Sequence, residues 1–545
     1  MSRQLRLLYP FLFAILPVLL IINRNPGASS SADDLAVVVA MLVGCAVLYL
    51  LVALLAKRQL WNPIVPLIVF ASIIWFYWYD TIIGLSHRAW RALPSSIAAI
   101  VGLVLTVLVL SWLQRRPRYL ERLTSFLGLT GVLLVGWSGV KIIRSKIAER
   151  QEVRRSALAA EFRRPIPAPA GAHPGPERDV YLILLDEYAN SGVLRDVFGF
   201  DNREFEDSLR QLGFTIPRET QSNYIHTTLS LPSLLNFGHL TRLTDELGAR
   251  SNDPALPDYL LENNRTVAFL KSRGYRFLFF PSQWWISTQS NRNADWTYQA
   301  WTGFDLGRAA TRSDLRRSLV NTTALDLLQK NYAYDADHVT RTLLAMEEVP
   351  KLPEATFAFA HLLSPHRPYA VHADCTPREE RVPLGGPWVP RRRQIYLEQL
   401  QCVNHLVSRV VTELLRRSTV PPIIIIQGDH GTPTLGYDKA PNARSVAPAQ
   451  ARERFGAFGA YYLPDGGGQA FADSVTLVNV FQKILSYYFG ADIPPSQDRL
   501  FFSMDETPFD FVEFDRNRYV PLPARTAISS STSQTHQTGR RAKLE

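Results

Sequence analysis

The sequence predicts two architectures in one chain. An N-terminal α-helical membrane domain of five transmembrane helices precedes an α/β domain with a mostly parallel central sheet covered by helices. Three observations predict this. Apolar runs at 7–22, 35–56, 63–85, 97–113 and 123–143 follow one another with short polar breaks, each near the ~20 residues that cross a bilayer core. Further on, short runs of strand formers lack polar alternation (VYLILL at 180–185, RFLFF at 276–280, TFAFA at 356–360, IIII at 423–426), as expected of strands buried on both faces. Helix-like segments at 204–212, 257–272 and 396–415 lie between them.

The apolar runs set the topology. The first could be a signal peptide, with Arg3 and Arg6 before it and Ala28, Ser29 and Ser30 after it, but the four runs that follow favour an uncleaved anchor. With the N-terminus cytoplasmic, the inner side carries Arg3, Arg6, Lys57, Arg58, Arg115, Arg116, Arg118 and Arg122, and the outer short loops only Arg24, Arg88 and Arg91. Five spans then place everything after residue 143 outside, so the expected site is a bacterial inner (plasma) membrane, multi-pass, with a periplasmic or extracytoplasmic domain. The expected divisions are a transmembrane domain at 1–143, a juxtamembrane helix and Pro-rich linker at 144–178, a catalytic domain at 179–523 and a disordered Ser/Thr-rich tail at 524–545. Cys45 falls in the second run, while Cys375 and Cys402 share the exported part, where a disulfide between them fits an oxidising compartment. The net charge of +10 suits nucleic acid or anionic lipid. The basic residues cluster beside the apolar runs and in the tail, and no nucleic-acid-reading motif occurs, so nucleic acid is not an expected partner.

The chemistry gathers where strands end, because ligands of such sheets bind beyond the carboxyl ends of the strands. The first strand delivers Asp186-Glu187, the third His361 with His366 close behind, and the fourth Gly428-Asp429-His430-Gly431, whose glycines let backbone approach a bound ion. Converging carboxylates and imidazoles suggest a divalent metal. The segment IHTTLSL at 225–231 adds three hydroxyls at a helix start. A helix N-terminus suits a phosphate or sulfate, and a metal held by Asp186, Asp429 and His430 would activate an alcohol beside it. His226 is expected to face solvent, and Ser230 to support the helix start.

These residues resemble the alkaline phosphatase superfamily, specifically its membrane-anchored sulfatase-like branch with the phosphoethanolamine transferases and lipoteichoic acid synthases. The resemblance runs over about 179–503. It rests on the strand ending Leu185-Asp186-Glu187-Tyr188, the segment Asn223 to Leu231, His361 to Tyr369, and Gly428-Asp429-His430-Gly431; Tyr396 to Asn404, Glu453-Arg454-Phe455 and Tyr461 to Pro464 are similar to further family landmarks. It implies an alkaline-phosphatase/sulfatase-like fold, and Thr227, four residues after Asn223, as the nucleophile. The implied metal ligands are Asp186, Thr227, Asp429 and His430, with Asp186 ahead of Glu187, and His361 and His366 contact the substrate phosphate or a second metal. One divalent ion is implied, Zn²⁺ favoured over Mn²⁺ or Mg²⁺. Sulfatases proper carry a Cys/Ser-x-Pro-x-Arg pattern, which Thr227-Thr-Leu-Ser-Leu231 lacks. The expected function is therefore metal-dependent transfer of a phospho-group, of the phosphoethanolamine or phosphoglycerol type. The donor is a phospholipid, the acceptor an envelope glycan or lipid, and the route a phospho-threonine. The alternatives are a sulfatase-like hydrolase (phosphodiesterase or phosphatase, less so a sulfuric ester hydrolase) and a non-catalytic envelope scaffold.

Overall fold

The computed structural model describes residues 5–24, 31–57, 62–89, 95–167, 177–282, 288–298, 336–380, 382, 386–471 and 473–523, with 315, 319 and 323 singly. Most of the Pro-rich stretch, the tail from 524, and the outer or inner short-loop residues Arg3, Arg58 and Arg91 lie outside the described residues, as do Ala28, Ser29 and Ser30.

Each apolar run forms a helix: α1 (Leu5–Arg24), α2 (Ser31–Leu55), α3 (Ile64–Ala89), α4 (Ser95–Gln114) and α5 (Pro117–Arg155). Among the described residues two stretches are long and apolar enough to cross a membrane, Leu35–Leu55 and Pro117–Arg155; Leu8–Asn23, Ile64–Trp78 and Ala99–Gln114 are shorter apolar helices. The helices pack on a shared core around Tyr9, Val18, Val65 and Val69, and Leu315 and Leu319 are buried in the same cluster. Their outward faces are apolar too: Val43, Leu54, Leu108, Phe126, Leu133 and Trp137 are all at least half exposed.

Helix α5 carries the last apolar run on through the charged residues that follow it, to Arg155. Ser156 then ends α5 and caps α6 (Ala157–Phe162), its side chain accepting from the Ala159 N–H. Helix α6 is not a free linker. Leu158, Ala159 and Phe162 are buried in one apolar cluster with Tyr224, Leu229, Leu240 and Leu243 of the α/β domain.

That domain contains β1 (Val180–Leu185), α7 (Ser191–Phe198), α8 (Arg203–Gln211), β2 (Glu219–Gln221), α9 (Thr227–Asn236), α10 (Leu243–Leu247), α11 (Ala255–Glu262), α12 (Arg265–Ser272), β3 (Arg276–Phe280) and β4 (Trp296–Thr297). There follow α13 (Ala336–Met346), β5 (Thr356–Leu362), α14 (Pro390–Arg417), β6 (Ile423–Gly428), α15 (Pro448–Phe455), β7 (Gly459–Tyr462), β8 (Ser474–Thr476), α16 (Val480–Phe489), β9 (Leu500–Met504) and β10 (Thr507–Phe514). The central sheet runs β4-β3-β5-β1-β6-β7, parallel throughout except where β7 pairs with β6. The single helix expected over 257–272 is two, because Asn263 ends one and Asn264 caps the next by accepting from the Val267 N–H.

Strand β1 shows why the runs do not alternate. Tyr181, Ile183 and Leu185 enter one core with Val403 and Val407 of α14, while Val180, Leu182 and Leu184 enter the opposite core with Leu231 of α9 and Phe481 of α16. Every β1 side chain is removed from water, at roughly 1.5–3 kcal/mol for each large apolar group. Cys375 and Cys402 are joined by a disulfide that ties the loop after β5 to α14.

Candidate metal centre and nucleophile

Sheet register brings the first two carboxylates together. Leu185 of the central strand lies level with Gly428 of β6 and Leu362 of β5, so Asp186 and Asp429 leave adjacent strands at the same level. The Asp186 N–H continues the ladder onto the Leu362 carbonyl at 3.0 Å. Glu187 then turns into the left-handed region, φ 60°, which aims its N–H at Asp429 Oδ1, 3.0 Å away.

Asp429 is fully buried and fully engaged. Its Oδ1 accepts from the N–H groups of Glu187 and His430, and its Oδ2 accepts from the Thr227 hydroxyl at 2.6 Å. His430 Nδ1 lies 3.0 Å from the Gly431 carbonyl, an obligate acceptor, so Nδ1 carries the proton and the Nε2 lone pair faces Thr227 Oγ at 3.1 Å. Burial, and then the charge of Arg454, push His430 well below the usual histidine range and keep it neutral. Thr227 opens α9, and His226 before it makes no side-chain cap, which leaves first-turn N–H groups directed beyond the helix start.

Asp186, Asp429 and His430 present ligand atoms within 4.8 Å of one another. The donor set fits a divalent cation on two observations. Asp186 Oδ1 is buried with no hydrogen-bond partner. The Asp186 carboxyl is raised well above its ordinary range, first by burial and next by the neighbouring Asp429 charge, a repulsion that a cation between them would relieve. Glu187 is not part of this trio; its Oε1 lies 3.6 Å from the Arg454 guanidinium, and its Oε2 is buried with no hydrogen-bond partner.

The two histidines occupy different positions. His361 is fully buried, with Nδ1 2.7 Å from Thr288 Oγ1 and Nε2 3.3 Å from Asp186 Oδ2. Burial lowers it to about 4, so it is neutral, and its buried Nε2 makes no hydrogen bond although Asp186 Oδ2 is near. His366 is half-buried; its N–H donates to the Asp186 carbonyl at 3.1 Å and its Nδ1 to the Arg367 carbonyl. Two expectations change. His226 does not face solvent: Nε2 meets the Ser503 carbonyl at 3.3 Å and Nδ1 lies 3.6 Å from Asp505, because β9 runs past the nucleophile segment. The glycines of 428–431 accommodate protein backbone: a Cβ on Gly428 would stand 2.5 Å from the Tyr188 carbonyl oxygen, and one on Gly431 1.9 Å from that of Glu453.

Sequence reasoning gave Arg454 no role. Its buried guanidinium donates to the carbonyls of Ile225 and Gly431, one from the nucleophile segment and one from the metal loop. Only the landmark Glu453-Arg454-Phe455 marked it. Glu453 beside it is equally buried and accepts from Thr432, Thr434 and Leu435, which shapes the loop after His430.

The family model described as Sulfatase matches residues 192–480, more than half of the 545-residue chain. The chain belongs to the sulfatase family. The matched region holds Thr227, His361, His366, Asp429 and His430 and begins just past Asp186. Sulfatase-family domains are metal-dependent enzymes, which sets aside the non-catalytic scaffold. No curated protein matches the chain. Among solved structures, the C-terminal periplasmic domain of EcEptC from Escherichia coli aligns at 14% identity and a TM-score of 0.41, covering 63% of this chain and 94% of that one. The C-terminal periplasmic domain of the phosphoethanolamine transferase EptC from Campylobacter jejuni aligns at 12% and 0.34, covering 57% and 89%. The lipoteichoic acid synthase LtaP from Listeria monocytogenes aligns at 9% and 0.37, covering 66% and 90%. All three similarities are remote.

Proposed function

We propose that this sulfatase-family enzyme is a multi-pass membrane protein that transfers a phospho-group from a phospholipid to an envelope glycan or lipid through a phospho-threonine. The observation that carries the reading is the Thr227 hydroxyl, set 2.6 Å from Asp429 Oδ2 and 3.1 Å from His430 Nε2. A threonine there suits phosphorus, since no formylglycine precursor pattern surrounds it. The five apolar helices, α2, α4 and α5 with exposed apolar faces, support the membrane reading and a lipid donor.

In the first step Asp429 accepts the Thr227 proton as the Oγ–P bond forms, and the bond between phosphorus and the diacylglycerol oxygen breaks. His366, at the half-buried rim, supplies the proton to that oxygen, and neutral His361 stands behind Asp186, 3.3 Å from its Oδ2. In the second step the acceptor hydroxyl attacks phosphorus and gives its proton to His366. The Oγ–P bond breaks and Thr227 recovers its proton from Asp429. A divalent cation on Asp186, Thr227, Asp429 and His430, Zn²⁺ by the mixed nitrogen and oxygen donors with Mn²⁺ and Mg²⁺ as alternatives, would lower the hydroxyl pKa and offset oxyanion charge.

The test is intact-protein mass spectrometry after exposure to phospholipid labelled in the headgroup. A covalent adduct on Thr227, lost in Thr227→Ala together with product, is the expected outcome. Unchanged product in Thr227→Ala sinks the assignment. Family membership favours hydrolysis as the second reading; free labelled headgroup, with no label in glycan or lipid acceptor, would select it.

A further inference from the structure

The loop that carries His366 has few donors of its own. Pro365 and Pro368 have no N–H, and the His366 N–H is engaged by the Asp186 carbonyl at 3.1 Å. The carbonyls of residues 365–368 still need donors. His366 Nδ1 serves that of Arg367. The others converge on one side chain of α14. Gln399 Nε2 lies 3.2 Å from the Pro365 carbonyl oxygen, 2.8 Å from that of His366 and 3.4 Å from that of Pro368. Gln399 Oε1 accepts from the Ala370 N–H at 2.8 Å. A backbone N–H only donates and a carbonyl only accepts, so these partners fix which end of the amide is which. The Gln399 side chain is buried, and the His366 backbone is held from both sides, by Asp186 through its N–H and by Gln399 through its carbonyl.

We propose that Gln399 is a positioning residue for the transfer reaction and acts through His366. This rests on the role given to His366 above and deepens it. Nδ1 keeps its proton on the Arg367 carbonyl, so the proton that reaches the diacylglycerol oxygen leaves from Nε2 as the bond from phosphorus to that oxygen breaks. Where Nε2 points follows from the backbone of residues 365–368, which Gln399 fixes. The rest of the loop has separate anchors on the same helix. Cys375 is bonded to Cys402, and the buried Arg378 pairs with Glu398 and donates to the Val371 carbonyl at 3.2 Å. The Arg378 N–H also donates to the Ala370 carbonyl at 2.8 Å. Loss of the Gln399 amide therefore leaves the loop attached to α14 and frees the stretch around His366.

Gln399→Met removes these hydrogen bonds at similar volume. The full chain in detergent is compared with Gln399→Met, His366→Gln and the double variant, without acceptor, so that the first turnover alone is read. One substrate is phosphatidylethanolamine or phosphatidylglycerol, whichever the parent chain turns over; its leaving diacylglycerol oxygen needs a proton. The other is the p-nitrophenyl diester of the same headgroup, whose p-nitrophenolate departs without one. Gln399→Met should slow diacylglycerol release about 30-fold, the scale of a misplaced catalytic group, and p-nitrophenolate release by less than about threefold. The double variant should release diacylglycerol no more slowly than His366→Gln, because the two residues act as one unit. Equal losses on both substrates, losses that multiply in the double variant, or unchanged diacylglycerol release in Gln399→Met overturn the inference and leave the role of His366 standing. Full diacylglycerol release in His366→Gln refutes that role, and the inference with it. Gln399→Glu, which keeps the acceptor for Ala370 and loses the donors, replaces the Met variant if that one does not fold, with the same outcomes.

Discussion

Thr227 is one of three hydroxyls in a four-residue stretch, and its neighbours explain why the other two are not equivalent. Ser230 Oγ donates back to the His226 carbonyl, four residues earlier, and among the described residues Asp429 Oδ2 and His430 Nε2 take their threonine hydrogen bonds from Thr227, not Thr228. Arg454 carries the clearest residue-scale prediction. Its guanidinium holds the Ile225 and Gly431 carbonyls, and the latter also receives the His430 Nδ1 proton. Arg454→Met should lower stability by about 3–5 kcal/mol, the cost of breaking a buried charged contact, and should reduce turnover more than Arg454→Lys does. Denaturant melts and steady-state kinetics measure the two effects, and full activity in the Met variant would show that the carbonyls are held by other means. Acid stability is set by residues such as His338, which burial depresses to about 4 against an ordinary 6.5. The unfolded chain binds this proton more readily than the folded one, so stability is fully present above pH 6.5 and is lost as pH falls towards 4. The loss is on the order of 3 kcal/mol for one such group. Thermal melts in chelator between pH 7.5 and 4 should show the decline, and His338→Gln should flatten it.

At the scale of elements, parallel register does the assembly. Strands β1 and β6 run side by side with Leu185 level with Gly428, so two carboxylates distant in the chain emerge together. The loop after β6 works because Glu453 and Gly456 carbonyls press against it where Gly431 has no side chain. Gly431→Ala should cost about 1–3 kcal/mol and displace His430. A drop in metal retained per chain, read by elemental analysis beside the melt, separates that displacement from simple destabilisation; unchanged metal content would mean the loop shifts without moving His430. Helix α14 shows the limits of pattern reading: 396–415 was legible from its apolar spacing, but the first turn from Pro390 is a run of basic residues without periodicity.

For the whole molecule, the joint between the helical region and the α/β domain is the main feature. A flexible juxtamembrane linker would leave the two parts independent. Instead Phe162 is buried, and a Cβ on Gly238 would meet its ring at 2.7 Å. Phe162→Ala should therefore destabilise the α/β domain by about 3 kcal/mol, although residue 162 precedes it in sequence. Differential scanning calorimetry of the full chain in detergent would register this, and an unchanged domain transition would show that Phe162 does not stabilise the α/β domain.

Composition and local pattern alone determined the apolar helices, the strands of the sheet core, the mostly parallel sheet, and the strand ends where Asp186, His361 and Asp429 stand. Each of these follows from hydrophobic period or from residues at a strand terminus, and both are local properties of the chain. Tertiary structure alone decided the rest. It set the distances of a grouping the family resemblance had implied, Thr227 Oγ 2.6 Å from Asp429 Oδ2 and 3.1 Å from His430 Nε2, brought Glu187 Oε1 near Arg454, buried His361 behind Asp186 and left His366 at the rim. It also broke the 257–272 helix at Asn263 and docked α6. The physical reason is that burial and pairing depend on what a side chain faces. A buried guanidinium such as Arg454 has the same sequence signature as a solvated one until the carbonyls it binds are folded around it.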